Sequence, residues 1–158
     1  MEQRINFAEN GQGAMKALFG VGGYVHKSGK LDQNLVTLID MRVSQINGCA
    51  YCLDMHSKDL RAAGETEQRL YVLNAWREAP FYTEKERAAL EWAEAVTLLK
   101  DREVPDEVYE IARAQFSEEE LIDLTIAVTA INTWNRINIA FRTEPGGYVP
   151  GMFNSAAA

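Results

Sequence analysis

The sequence predicts an all-α protein, a compact multi-helix bundle. Three observations carry this. Apolar residues recur every three or four positions through most of the chain, capping and terminating residues stand at the ends of those runs, and no stretch alternates apolar and polar residues as a half-buried strand would.

Residues 13 to 28 carry Met15, Leu18, Phe19, Val21 and Val25 at helical spacing, and Gly29 offers a stop. Gly20, Gly22 and Gly23 weaken that helix, each costing about 1 kcal/mol in an interior position. Asp32 is placed to cap a second helix with Val36, Ile39, Val43 and Ile46 on one side, and Asn47-Gly48 breaks it. A third helix starts at the cysteines and runs to Ala63, with Gly64 just past its end. A fourth starts at Thr66 and is expected to end near Pro80. "TEKE", Thr83 to Glu86, is a capping box opening a fifth that carries Ala88, Ala89, Trp92 and Val96. Pro105 suits a first helical position.

"SEEE", Ser117 to Glu120, is a second capping box, and the helix after it is apolar nearly all round. Leu121, Leu124, Val128 and Ile131 line one face; Ile122, Ile126, Ala130 and Ile137 line others. Such a helix is expected at the centre of the bundle and, along part of its length, at a subunit interface. After Thr143 the Pro/Gly-containing "EPGGYVPGMFNSAAA" stops helix. The expected organisation is one helical domain over residues 1–143, then a C-terminal arm or tail over 144–158. That segment reads either as a loose tail or as an arm laid on a partner subunit by Tyr148 and Phe153.

Composition narrows the function classes. A net charge of −7 with no basic run would repel a nucleic-acid backbone or an anionic membrane, so neither is an expected partner. No signal-peptide or membrane-length apolar stretch is seen, which makes a cytoplasmic location the expectation. Thiols there are kept reduced, so a close cysteine pair is more often catalytic, redox-active or metal-binding than structural. With 158 residues and 47% hydrophobic content, the chain can build a core without a covalent staple.

"NGCAYCLDMH", residues 47 to 56, holds both cysteines and one of the two histidines. On a helix, Cys52 and His56 are i and i+4, Cys49 and Cys52 are i and i+3, and Cys49 and His56 lie about 20° apart, so all three share a face. Asn47-Gly48 puts Cys49 in the first turn, where unpaired N–H groups and the helix dipole favour a thiolate. A disulfide between the two requires that turn to tighten from ideal α geometry. Structural zinc would need four ligands, and His26 is remote from the other three. An iron–sulfur cluster needs more cysteines, and haem attachment wants His where Leu53 stands. Two inert core cysteines or a redox pair are left, and the shared face with His56 favours the redox pair.

"RVSQINGCAYCLDMHSKDLRAAGE", residues 42 to 65, resembles the alkylhydroperoxidase D-like branch of the carboxymuconolactone decarboxylase-like superfamily. Ser44 to His56 match its signature S-Q-x-N-G-C-x-x-C-x-x-x-H without a gap, and "WNRINIAFR", Trp134 to Arg142, matches more loosely. The resemblance implies an all-helical fold that oligomerises through helical faces as a trimer or hexamer. It also implies a peroxiredoxin-type antioxidant enzyme that reduces hydroperoxides without metal or other cofactor and is re-reduced by a thiol or dithiol. Cys52 would be the attacking thiolate, Cys49 the resolving thiol and His56 the base or proton relay, with Tyr51, Trp134 and Asn135 as pocket neighbours. Peroxidases of the family usually carry a Glu twelve residues before the first Cys; here that position is Thr37. Asp40, or a water held by Thr37, is the expected substitute in the relay. A decarboxylase-like activity and a non-enzymatic oligomeric redox sensor or scaffold are the competing functions. His26 receives no role.

Overall fold

The helices that follow Asp32, Thr83 and Ser117 begin where a side chain takes an otherwise unpaired N–H and end where the backbone turns left-handed. The computed structural model describes residues 2–153, which form eight α-helices and no strand among them. A four-residue helix α1, Phe7–Asn10, starts on Asn6, which accepts from the Glu9 amide at 3.3 Å. Sequence reasoning had no signal for it; it is held by Phe7, which stacks on Phe141 at 6.1 Å and meets Trp134 edge-on at 6.3 Å.

Helix α2, Gln12–Ser28, runs unbroken through its glycines to Gly29 at φ 64°. Packing against the last helix outweighs their propensity cost. Helix α3, Gln33–Asn47, is capped by Asp32 through the Leu35 amide at 3.0 Å and stopped by Gly48 at φ 71°. Helix α4, Ala50–Ala62, follows at once.

The expected helix from Thr66 to Pro80 is broken: α5 covers only Glu67–Tyr71, and a 3₁₀ turn covers Leu73–Ala75. Carbonyls along and just beyond this stretch are taken by side chains. The Tyr82 hydroxyl donates to the Arg69 carbonyl, and Arg87 donates to those of Arg77, Ala79 and Tyr82. Breaking there lets Leu70, Leu73 and Trp76 all turn inward.

Helix α6, Glu84–Leu98, and helix α8, Glu118–Phe141, both carry the full capping box expected of Thr83/Glu86 and Ser117/Glu120. Helix α7 is Asp106–Gln115, with Pro105 one position before its first turn rather than in it. No described helix is long and apolar enough to cross a membrane.

The centre of the bundle is α3, which packs on α4, α6 and α8. Leu38, Ile39 and Val43 of α3 meet Leu60, Leu90, Leu124 and Val128 in a core where each is essentially inaccessible to water. Burial of each such side chain is worth about 1.5–3 kcal/mol. Helix α8 is less enclosed than its composition predicts: Ile122 is 60% exposed and Ile139 45%.

Two polar clusters lock α3 in place. Glu94 of α6 receives Arg42 at 2.8 Å, Trp76 Nε1 at 2.8 Å and Arg77 at 2.7 Å. At the other end, fully buried Asn135 of α8 donates to Ser44 Oγ at 3.0 Å and accepts from Asn47 Nδ2 at 2.8 Å. Asn47 also reaches Asn132 at 3.0 Å.

The described part of the C-terminal segment, residues 144–153, lies along its own chain. Lys58 of α4 donates to the carbonyls of Gly146 and Tyr148, both at 3.1 Å, and the Gly146 amide donates to Asp54 at 2.9 Å. Phe153 packs on Phe19 of α2 at 5.7 Å. Residues 154–158 of the expected arm lie outside the described residues.

Replacing Asn135 by Ala leaves buried Ser44 without its donor. The expected cost is about 1–3 kcal/mol, read as a lower urea midpoint at unchanged slope. An unchanged midpoint would show that the bridge contributes nothing.

Candidate active site

The corner between α3 and α4 positions the sulfurs. Gly48 turns left-handed and its amide closes on the Ser44 carbonyl. Cys49 is then left extended, at φ −83° and ψ 98°, as the N-cap of α4, one residue outside the first turn where the sequence placed it. Its Sγ accepts from the Cys52 amide at 3.3 Å, so the sulfur itself caps the helix. The two cysteines are joined in a disulfide with Cα atoms 5.4 Å apart. Because Cys49 is extended rather than helical, the pair meets without over-tightening a helical turn.

Cys52, His56 and Asp59 follow at i, i+4 and i+7 and form one stripe of α4. That stripe borders a cavity of about 720 Å³ between α2, α3, α4, α8 and the C-terminal segment. Thr37 and Asp40 of α3, Asn138 of α8 and Tyr148 face the same space. Apolar side chains, among them Leu18, Phe19, Ile131 and Trp134, make up much of the rest. Cys52 is part of the cavity wall and Cys49 is not. Both are almost sealed from solvent, at 0% and 1% exposure.

Burial sets the protonation of two groups on the cavity wall, in opposite directions. His56 is 7% exposed and its Nε2 has no hydrogen-bond partner. Without a counter-charge, desolvation pushes the imidazole down to about 4, so it is neutral at pH 7. Burial first, and then the charge of Asp59, push Asp40 up to about 8, so its carboxyl keeps its proton at pH 7. Asp59 is itself raised by burial, partly offset by the Tyr148 hydroxyl donating to it at 2.7 Å. Thr37 donates its hydroxyl to the Gln33 carbonyl at 2.9 Å, which leaves its oxygen free only to accept. Above Cys52, Asn138 Nδ2 stands 3.5 Å from Sγ.

Of the residues singled out in the sequence, Cys52, His56, Asp40 and Thr37 share the cavity wall, together with Tyr51, Trp134 and His26. Asn135 does not: it lies behind the corner, in the bridge to Ser44 and Asn47. Sequence reasoning missed Asp59, Asn138 and Tyr148. Asp59 was readable as the next member of the Cys52–His56 stripe. Asn138 lies one turn beyond Asn135 in the same quoted motif, whereas Tyr148 follows a Gly-Gly turn that no periodicity reaches. Among the described residues, no group of three or more His, Cys, Asp or Glu could hold a metal ion.

Comparison with known proteins bears on the family and the fold. A model of the carboxymuconolactone decarboxylase family matches residues 12–95. The uncharacterized protein YdfG of Bacillus subtilis (strain 168) is 45% identical over 140 residues, covering 89% of this chain and 95% of the relative. Among solved structures, a protein of unknown function from Agrobacterium tumefaciens, described as a candidate antioxidant defence protein AhpD, is also 45% identical. It superposes with a TM-score of 0.88 over 93% of this chain and 100% of its own. An uncharacterized peroxidase-related protein from Silicibacter sp. TM1040 is 25% identical, with a TM-score of 0.70 over 91% of this chain and 73% of its own.

The two shifted groups make opposite contributions to stability. Asp40 keeps its proton to about pH 8 when folded but loses it near 3.8 when unfolded, so stability falls as pH rises through that window. His56 is neutral down to about 4 when folded but protonated below 6.5 when unfolded, so its contribution is lost as pH falls. The slopes oppose each other between about 4 and 6.5, and above that, of these two, only the Asp40 slope is left. Unfolding free energy should therefore decline from pH 6.5 to 8, by at most about 1.4 kcal/mol per pH unit. Asp40→Asn should abolish the decline; its persistence in that variant would assign it to another group.

Proposed function

The chain belongs to the carboxymuconolactone decarboxylase family, and from that premise we propose that it is a thiol-dependent peroxidase of alkylhydroperoxidase D type. The observation that carries the reading is Cys52 on a cavity wall, one turn from a neutral histidine and bonded to a cysteine that caps the same helix.

In the reduced protein, His56 takes the thiol proton of Cys52, which its neutral state permits. The Cys52 thiolate attacks the terminal oxygen of a hydroperoxide, and the O–O bond breaks. Cys52 becomes a sulfenic acid, and the departing alkoxide takes a proton. Asp40, protonated at neutral pH and on the same wall, is the group that supplies it, in place of the Glu that Thr37 replaces. The amide of Asn138 steadies negative charge on Cys52 Sγ. Cys49 then attacks that sulfur, water leaves, and the disulfide forms. An external thiol or dithiol restores both cysteines. A cytoplasmic setting and a trimeric or hexameric assembly, implied by the sequence resemblance, belong to the same proposal.

The second reading is a redox sensor or scaffold, oxidised once and not turned over. It draws on Thr37, whose hydroxyl neither releases nor takes up a proton at neutral pH and is turned to the Gln33 carbonyl. Decarboxylation, which names the family, gives the cysteine pair no use.

Cys52→Ser is expected to abolish peroxide consumption in the presence of a dithiol, while Cys49→Ser leaves a sulfenic acid that dimedone traps on Cys52. The reverse pattern would exchange the two roles. Stoichiometric oxidation without turnover would favour the sensor. In the wild type, turnover should fall as pH rises through about 8, where Asp40 loses its proton. Asp40→Asn should lower turnover and flatten that limb; unchanged activity removes Asp40 from the mechanism.

A further inference from the structure

Five aromatic rings run in a chain around the cavity. Phe7 meets Trp134 edge-on at 6.3 Å, Trp134 meets Phe19 at 5.1 Å, Phe19 meets Phe153 at 5.7 Å, and Phe153 stacks on Tyr148 at 5.7 Å. They come from α1, α8, α2 and the C-terminal segment, and all five line the same space. Phe7, Phe19, Trp134 and Phe153 are only half-buried, so ring surface that could pack in a core is left facing the cavity. We propose that this cavity is a binding site for a neutral aromatic molecule carrying a hydroxyl group. The inference goes beyond the peroxidase reading and does not depend on it.

An orphaned polar atom calls for the hydroxyl. His56 is 7% exposed and borders the cavity, and its Nε2 has no hydrogen-bond partner. A buried ring nitrogen left unpaired costs free energy until a ligand or water pairs with it. A hydroxyl both donates and accepts, so it satisfies that nitrogen in either tautomer of the neutral imidazole. Thr37 gives its own hydroxyl proton to the Gln33 carbonyl at 2.9 Å, which leaves an acceptor oxygen on the same wall. Exposed His26 borders the cavity too, so a solute reaches the half-buried rings from that side.

The walls select against charge of either sign. Asp59, held by the Tyr148 hydroxyl at 2.7 Å, repels an anion. A cation would lose its hydration among apolar groups and find no carboxylate to replace it, since Asp59 is already engaged and Asp40 keeps its proton at neutral pH. The rings themselves select for a ring. Aromatic pairs in edge-to-face or offset contact gain more than the area they bury, because the negative face of one meets the positive edge of the other. At about 720 Å³ the cavity is of the size that encloses a small organic molecule, and its few polar groups converge at one end, as such sites require.

The test is calorimetric titration of the full oxidised chain at neutral pH, with 2-naphthylmethanol as the probe. The probe should bind saturably. Its saturated counterpart, decahydronaphthylmethanol, should bind about two- to tenfold more weakly, because the ring contacts are lost. 2-Methylnaphthalene, which lacks the hydroxyl, should also bind more weakly, and that difference should vanish in His56→Leu. 2-Naphthoate and 2-naphthylmethylammonium should not bind. Gly22→Leu grows into the cavity from a Cβ position with nothing within 4 Å, so the fold has room for it. It should weaken the probe severalfold without lowering the urea midpoint. No binding of the probe, equal binding of the saturated alcohol or of either charged analogue, a hydroxyl preference that survives in His56→Leu, or an unaltered affinity in Gly22→Leu would overturn the proposal. No arm of the test uses peroxide or a free thiol, so its failure leaves the peroxidase reading untouched, and an absence of peroxide turnover would not imitate it.

Discussion

The hydrogen bonds that Asn135 donates to Ser44 and accepts from Asn47 hold the site together. A fully buried amide must find partners, and here both are on the last turns of α3. Satisfying them fixes where α3 stops against α8, and therefore where Gly48 turns and where Cys49 is left as a cap. The same anchoring sets α8 in register, so that Asn138, one turn further on, comes to stand over Cys52. Ser44 and Asn47 belong to the same sequence motif as the cysteines yet do not line the cavity. Their contribution is to aim the sulfurs.

Enclosure then does chemical work. One apolar-walled space holds a carboxyl and an imidazole and strips both of charge, raising the first to about 8 and lowering the second to about 4. At neutral pH the imidazole is neutral and the carboxyl keeps its proton, with no net charge buried on either. Groups driven apart in this way are what acid–base work requires. Asp59 contributes by its negative charge beside Asp40, and Tyr148 by holding Asp59 in position, so the C-terminal segment is part of the site's electrostatics.

Much of this was legible in the sequence, because local physics decides it. The caps at Asp32, Thr83 and Ser117 and the stops at Gly29 and Gly48 lie where their side chains or backbone freedom require. The grouping of Cys52 with His56 follows from helical spacing alone. What could not be read depends on distant partners. The helix expected from Thr66 breaks where the hydroxyl of Tyr82 takes the Arg69 carbonyl. Asn135 lies behind the corner rather than in the wall because its register is set by Ser44. The segment after Thr143 lies on α4 because Lys58 and Asp59 have groups to bind it, and neither periodicity nor composition encodes that.

A single pulse experiment tests the central claim most directly. Reduced protein receives one equivalent of an organic hydroperoxide, and the peroxide remaining is compared with the Cys49–Cys52 disulfide found by non-reducing peptide mapping. The account predicts that the two change together, one disulfide for each peroxide lost. Peroxide lost without that disulfide, or a reduced pair that leaves the peroxide intact, would contradict it.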